Sequence, residues 1–345
     1  MSREELSRFG EWVESLEMTV DCLAIGTSAR TRQALISLDN LAEVLMFEMC
    51  ESLFKRDEFF ARFMPPQFSS KQKAAIRWGF HEKLELLESE GRVTREEAIA
   101  LRILHRYRTP AFHRHLHNPR SGWVVTFVAL PAVVRLLSGV FLGMSMGGFS
   151  EPIEWLAKYG LPSDYVNFEQ AAREVGNGLL PRIERDQAEL IQTLTHDIAT
   201  RVSDLERLAL EELFSEDPVV LDEFLRREEF WIGFDDAKAS APHREVLYAI
   251  TTKAREVTKE EFQRSEADYR ARVADAANAF RGSLSMEGLR HLGSRAATLG
   301  PDVLAALESY VALDEQVAQY EKTLEMAAER LDQAVQAEID RRRGK

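Results

Sequence analysis

The sequence predicts an all-α protein, in which a compact N-terminal helical bundle precedes long helical arms. Three observations support this class. Apolar residues recur at spacings of three and four along most of the chain, which places them on one face of a helix. Serine or threonine stands where several helices would begin, and glycine or proline stands near their ends. No segment shows a useful length of the apolar–polar alternation that is typical of strands.

The first predicted helices follow from apolar spacing and capping residues. Apolar residues from Ala34 to Met49 predict one amphipathic helix over about residues 30–55. The pair Pro65–Pro66 interrupts the chain after this helix. Ser69 then offers an N-cap for a second helix that runs to Gly91, a natural stop.

The next two helix starts are predicted from threonines. Thr94 and Glu97 have the spacing of a capping box and open a helix that runs toward Tyr107. We expect a new helix to begin at Thr109–Pro110, because a capping hydroxyl there precedes proline at the first helical position.

The most apolar segment, Gly122–Ser150, is long enough to span a membrane. The central pair of Pro131 and Arg135 and the hydrophilic flanking sequence favour instead one or two buried helices in a bundle or dimer core. The sequence therefore predicts no membrane partner.

Charged, helical sequence begins at Pro181 and continues to the end of the chain. Thr258 and Glu261 form a second capping box, and the last helix is expected to open at Gly300–Pro301. Apolar residues in that helix alternate steps of three and four, as in a coiled coil: Val303, Ala306, Tyr310, Leu313, Val317, Tyr320, Leu324, Ala327, Leu331 and Ala334. We therefore divide the chain into a bundle at residues 1–160 and an extended helical region at residues 161–345.

The composition restricts the class of protein. With Cys22 and Cys50 as its two cysteines, the chain has neither a disulfide framework nor a four-thiolate zinc site. Its N-terminus lacks the apolar core of a signal peptide, so we expect a cytoplasmic protein. A net charge of −13 argues against a protein that coats nucleic acid through its whole surface.

Positive charge is nevertheless concentrated in residues 98–150. This window contains six arginines and no acidic residue, so it carries +6 while the rest of the chain carries −19. Four of the eight histidines lie between His105 and His117 in the same window. An acidic protein with one basic, histidine-rich segment can attract a polyanion to that segment.

Within this window, Arg108-Thr-Pro-Ala-Phe-His113 carries the candidate chemistry. The sequence lacks the motifs GxxxxGK[ST], GxGxxG, HExxH and CxxC. Arginine presents a planar set of donors that fits a phosphate, and histidine can exchange a proton near neutral pH. Metal-free RNA cleavage needs both functions. If Thr109 caps the following helix, Arg108 and His113 can both point into one cleft.

This segment resembles the HEPN superfamily of all-α domains, whose hallmark is an R-x4–6-H motif at the start of a late helix in a bundle. Residues 34–51 resemble the other recurring helix of that family, with an acidic pair on an apolar background. Asp39 and Glu43 lie one helical turn apart and can pair with Arg108. Thr109 stands where the family often has asparagine or aspartate. The resemblance covers about residues 20–150.

The resemblance implies a metal-independent endoribonuclease without a cofactor, active as a homodimer or higher homo-oligomer, of the toxin or antiphage-defence type. Arg108 would stabilise charge on the phosphate and His113 would be the general acid or base. Asp39, Glu43 and Thr109 would support them.

Four further basic side chains are predicted to bind the RNA: Arg106, Arg114, His115 and His117. A metal site is not predicted, because the alternating histidines 113, 115 and 117 would spread around the axis of a helix.

A second interpretation is a non-catalytic, dimeric all-α scaffold. In this interpretation the long C-terminal helices bind a regulatory or partner protein.

Overall fold

The computed structural model describes residues 3–113, 119–140, 145–147, 154–161, 165–213, 222, 225–227, 229, 244–245, 258–279 and 284–343. These residues are almost entirely helical, which confirms the all-α class. The first six helices are α1 (Arg3–Ile25), α2 (Ser28–Phe60), α3 (Ser70–Trp78), α4 (Phe80–Ser89), α5 (Arg95–His113) and α6 (Pro119–Gly139). The later helices are α7 (Glu154–Lys158), α8 (Phe168–Leu179), α9 (Gln187–Arg207), α10 (Lys259–Ala279), α11 (Met286–Ala296) and α12 (Val303–Arg342).

The chain forms two compact units. The first comprises Met1–Asp197 with Thr298–Ala312, and the second comprises Ile198–Ala297 with Leu313–Lys345. This division differs from the predicted boundary at residue 160, because α8 packs against α6 inside the first unit.

Helices α2 and α6 form the centre of the first unit. They make its most extensive helix–helix contact, and α1, α5 and α8 pack around them. The apolar stripe predicted for α2 is buried from Ala34 to Met49, and the helix begins where the Thr27 hydroxyl accepts a hydrogen bond from the Arg30 N–H. The helix extends from Ser28 to Phe60, slightly beyond its predicted limits at both ends.

The helix predicted from Ser69 to Gly91 is divided at Gly79. Ser69 caps α3 in a capping box with Gln72, and Gly91 ends α4 with a φ of +66°. Gly79 adopts an extended conformation between the two helices, because glycine is a poor helix former. The break leaves Trp78 exposed and turns Phe80 into the core.

Helix α5 begins as predicted but does not end where expected. The Thr94 N–H donates to Glu97 at 2.8 Å, and the Glu97 N–H donates to the Thr94 hydroxyl at 3.3 Å. The predicted helix start at Thr109–Pro110 is wrong, since α5 continues through both residues to His113. Pro110 removes a single backbone hydrogen bond close to the end of a helix whose earlier turns are buried in the core.

The apolar segment forms one helix up to Gly139, with Pro131 inside it. Residues Arg120–Gly139 are long and apolar enough to cross a membrane by length and composition, and 56% of their most apolar window is buried within the protein. Contacts of α6 with α2, α5 and α8 account for this apolar composition.

Two three-residue strands were not predicted. Ser145–Gly147 pairs antiparallel with Tyr165–Asn167, and Met146 lies opposite Val166. A strand of three residues is too short to produce a recognisable alternation pattern in the sequence.

The second unit contains the C-terminal part of α12. The apolar stripe predicted for α12 is buried in this unit at Leu313, Val317, Tyr320 and Leu324. The Tyr320 hydroxyl donates to the Ser285 carbonyl at 2.9 Å and thereby binds α12 to the start of α11. Thr258 caps α10 as predicted, with its hydroxyl 3.1 Å from the Glu261 N–H.

Burial of the Cys50 thiol makes the free energy of unfolding fall at alkaline pH. Burial raises the pKa of Cys50 from 9.0 to about 12. The unfolded chain therefore loses this proton near pH 9 while the folded chain keeps it. The contribution of the protonated thiol to the free energy of unfolding is complete below pH 9 and is lost as the pH rises toward 12. At 1.36 kcal/mol per pH unit, the total loss is about 4 kcal/mol.

We expect the free energy of unfolding, measured in urea at intervals from pH 8 to pH 11, to fall more steeply for the natural protein than for Cys50→Ala. Equal slopes for the two proteins would show that the Cys50 thiol does not titrate differently on folding.

Candidate functional site

Helices α2, α4 and α5 bring five ionisable side chains together in the first unit. We call this group the Asp39 cluster; it consists of Asp39, Glu43, Lys83, His105 and Arg108. The members come from sequence positions up to about seventy residues apart, so the packing of the helices creates the cluster.

Asp39 is the centre of the cluster. Its side chain is fully buried, and its Oδ1 lies 3.0 Å from Nδ1 of His105. Its Oδ2 lies 3.4 Å from Nε of Arg108. His105 and Arg108 are three residues apart on α5 and therefore share one helical face, which allows one carboxylate to contact both.

Glu43 lies one turn further along α2 and bridges two cations. Its Oε2 is 3.5 Å from Nη1 of Arg108, and its Oε1 is 3.3 Å from Nζ of Lys83. Lys83 is 2% exposed and also donates to the Arg77 carbonyl at 3.3 Å. A buried ammonium requires such partners, because its desolvation would otherwise cost several kcal/mol.

The imidazole of His105 is held on a second side by stacking. Its ring lies parallel to that of Phe80, with centroids 3.7 Å apart, and His81 approaches it edge-on at 6.1 Å. The side chain is 26% exposed. The break at Gly79 has a direct role here, because it turns Phe80 inward beneath the imidazole.

This arrangement can perform acid–base chemistry beside a cation. A carboxylate next to Nδ1 favours the tautomer in which Nδ1 carries the proton, and the neutral imidazole then accepts a proton at Nε2. Arg108, one turn away and 33% exposed, can contact an anion at the surface.

The structure brings three of the predicted site residues together, namely Asp39, Glu43 and Arg108. Thr109 and His113 lie on the same continuous helix as Arg108, so Thr109 does not cap a helix. Residues five apart on one helix are rotated by about 140°. A helix start therefore does not direct Arg108 and His113 into one cleft, and their pairing stays a prediction.

The predicted RNA-binding residues have different outcomes. Arg106 is exposed on α5. Arg114, His115 and His117 lie outside the described residues.

Sequence reasoning missed His105, Phe80 and Lys83 as members of the site. The spacing of three between His105 and Arg108 is the signal that identifies the histidine, because it places both on the face that pairs with the acidic residues of α2. Nothing in the local sequence indicates the Phe80 stacking or the Lys83 ion pair, which depend on the position of α4.

In the part of the chain that the structure describes, no group of three or more histidine, cysteine, aspartate or glutamate side chains is placed to hold a metal ion. No protein-family model, curated protein or solved structure matches the chain.

Proposed function

We propose that the protein is a metal-independent endoribonuclease of the HEPN type, in which Arg108 binds the scissile phosphate. The observation that carries the proposal is the contact of Arg108 with both acidic residues that the resemblance singled out, Asp39 at 3.4 Å and Glu43 at 3.5 Å. Two carboxylates restrict the guanidinium in position and leave it partly exposed.

The proposed reaction transfers the phosphate within the RNA. A histidine removes the proton of a ribose 2′-hydroxyl, and the 2′-oxygen forms a bond to phosphorus as the bond to the 5′-oxygen breaks. A protonated group supplies a proton to the departing 5′-oxygen. Arg108 stabilises the charge that develops on the phosphate oxygens. The products are a 2′,3′-cyclic phosphate and a 5′-hydroxyl end.

Two histidines are assigned roles in this proposal. His113 is the residue that the family resemblance places in the reaction, as general acid or base. His105 is the residue that the Asp39 contact orients through Nδ1, and Nε2 is the nitrogen that would exchange a proton. Two histidines would satisfy the need for one base and one acid in the same reaction.

The proposal includes a homodimer or higher homo-oligomer, an RNA substrate and a cytoplasmic role as a toxin or antiphage-defence effector. These elements come from the family resemblance. The +6 window supports binding of a polyanion through Arg106, Arg114, His115 and His117.

The test is cleavage of labelled RNA by the purified protein in EDTA. We expect Arg108→Ala and the double variant Arg108→Ala/His113→Ala to reduce cleavage at least 100-fold, as expected for loss of transition-state contacts. His105→Ala and His113→Ala, tested singly, separate the two proton-transfer roles. His291→Ala is the matched control, because His291 is an exposed histidine of α11 in the second unit.

Cleavage by Arg108→Ala at the natural rate would contradict the proposal.

An inert natural protein would instead favour the second candidate, a non-catalytic scaffold that binds a partner protein through its long helices. The observation that favours this candidate is α12, a helix of 40 residues on which Val335 is 50% exposed. Stoichiometric recovery of one specific protein, lost on Val335→Glu, would support it.

A further inference from the structure

A polar cleft lies in the first unit, away from the Asp39 cluster. Its volume is about 590 Å³, within the range of small-molecule sites in proteins. It is lined by α2, α6, α8 and the segment between α4 and α5. Arg92, Arg135 and Arg173 reach it from three different elements, and Ser138 and Asn177 add polar groups. We call it the arginine cleft.

The three arginines retain donors for a ligand. Arg92 is half-buried, and its guanidinium has no hydrogen-bond or ion-pair partner among the described residues. Arg135 contacts Glu97 through Nε at 3.2 Å, which leaves both terminal nitrogens. Arg173 contacts Glu169 through one terminal nitrogen, which leaves its Nε and its other terminal nitrogen. A guanidinium with two adjacent free N–H groups binds a phosphate in bidentate geometry.

Apolar side chains also line the cleft. Met49, Pro131, Val134 and Leu180 contribute to its lining. Gly176 keeps α8 close to α6, because a Cβ at this position would lie 2.8 Å from Cγ1 of Val134. A ligand that fits these walls has an anionic end and an apolar or planar part.

The arginine cleft and the Asp39 cluster are separate sites. Arg92 precedes the first residue of α5, whereas Arg108 lies thirteen residues after Arg95. At 1.5 Å per residue, about 20 Å of helix separates the two ends. Ligand binding in the arginine cleft is therefore independent of the proposed nuclease activity.

We propose that the arginine cleft binds a small phosphorylated ligand, with the phosphate held by Arg92, Arg135 and Arg173. The concave shape and the volume favour a small molecule over a nucleic-acid strand. Glu169 also lines the cleft and pairs with Arg173, and Glu97 pairs with Arg135, so the guanidinium of Arg92 is the one of the three that has no acidic partner among the described residues.

The test is isothermal titration of the full-length protein with AMP, ATP and inorganic phosphate as separate probes, at low salt and without a divalent metal. We expect at least one probe to bind saturably and more weakly as salt increases. The variant Arg92→Gln/Arg135→Gln/Arg173→Gln should weaken that binding at least tenfold. Arg30→Gln is the matched control, because Arg30 is an exposed arginine of α2 outside the cleft.

A second variant keeps the test informative if the triple variant unfolds. Ser138→Phe fills the cleft and leaves the three arginines in place, so it should weaken binding to a similar extent. No saturable binding by any of the three probes, or binding that both variants retain, would overturn the proposal. Binding of an RNA oligonucleotide at this cleft without binding of any small probe would also overturn it.

Discussion

Asp39→Asn is expected to reduce RNA cleavage by roughly 100-fold to 10,000-fold, which is the range for removing a carboxylate that orients a catalytic imidazole. Asp39 contacts both Nδ1 of His105 and Nε of Arg108. The asparagine amide keeps the size of the side chain but removes the charge that selects the tautomer of His105 and positions Arg108. The measurement is the single-turnover cleavage rate in EDTA.

The matched control for this prediction is Asp332→Asn. Asp332 is an exposed aspartate of α12 in the second unit and is not a member of the Asp39 cluster. We therefore expect a decrease of less than tenfold. A natural rate in Asp39→Asn, with the helical content unchanged by circular dichroism, would exclude Asp39 as a positioning residue.

Arg201→Met is expected to lower the free energy of unfolding of the second unit by about 3–5 kcal/mol, because it leaves two largely buried carboxylates without their cation. Arg201 donates to Asp314 at 2.6 Å and to both carboxylate oxygens of Glu321 at 2.7 and 2.9 Å. Its side chain is 13% exposed. The measurement is urea unfolding followed by circular dichroism.

Arg290→Met provides the comparison within the same unit. Arg290 pairs with Glu206 at 2.7 Å, but its side chain is 56% exposed, so the expected cost is about 1 kcal/mol or less. The triple variant Arg201→Met/Asp314→Asn/Glu321→Gln should recover most of the lost stability, since no charge is then left unpaired. Equal losses in Arg201→Met and Arg290→Met would refute the buried-network interpretation.

The sequence predicts those parts of the fold that depend on local signals. The apolar stripe of α2, the capping box at Thr94 and the stripe of α12 as far as Leu324 each lie within one helix, and the structure contains all three. The helix start at Thr109 is wrong because capping preference competes with burial of the earlier turns of α5, and burial dominates. The break at Gly79 was not predicted, because a single glycine is a weak signal within an otherwise helical pattern.

Local signals likewise identify only some residues of the candidate site. Asp39 and Glu43 could be singled out because they lie one turn apart, and Arg108 because of the motif that surrounds it. The contact between His105 and Asp39 joins residues 66 positions apart, and the stacking on Phe80 depends on how α4 packs. Such contacts depend on tertiary packing, and the local patterns of the sequence do not indicate them.

The burial of both cysteines has a practical consequence for experiments on this molecule. Cys22 is 3% exposed and Cys50 is 1% exposed, and the chain has two cysteines in total. A cysteine introduced at the surface would therefore be the one thiol accessible to a maleimide dye or a spin label. Pairs of such labels would allow distances between the two units to be measured in solution with the natural cysteines in place.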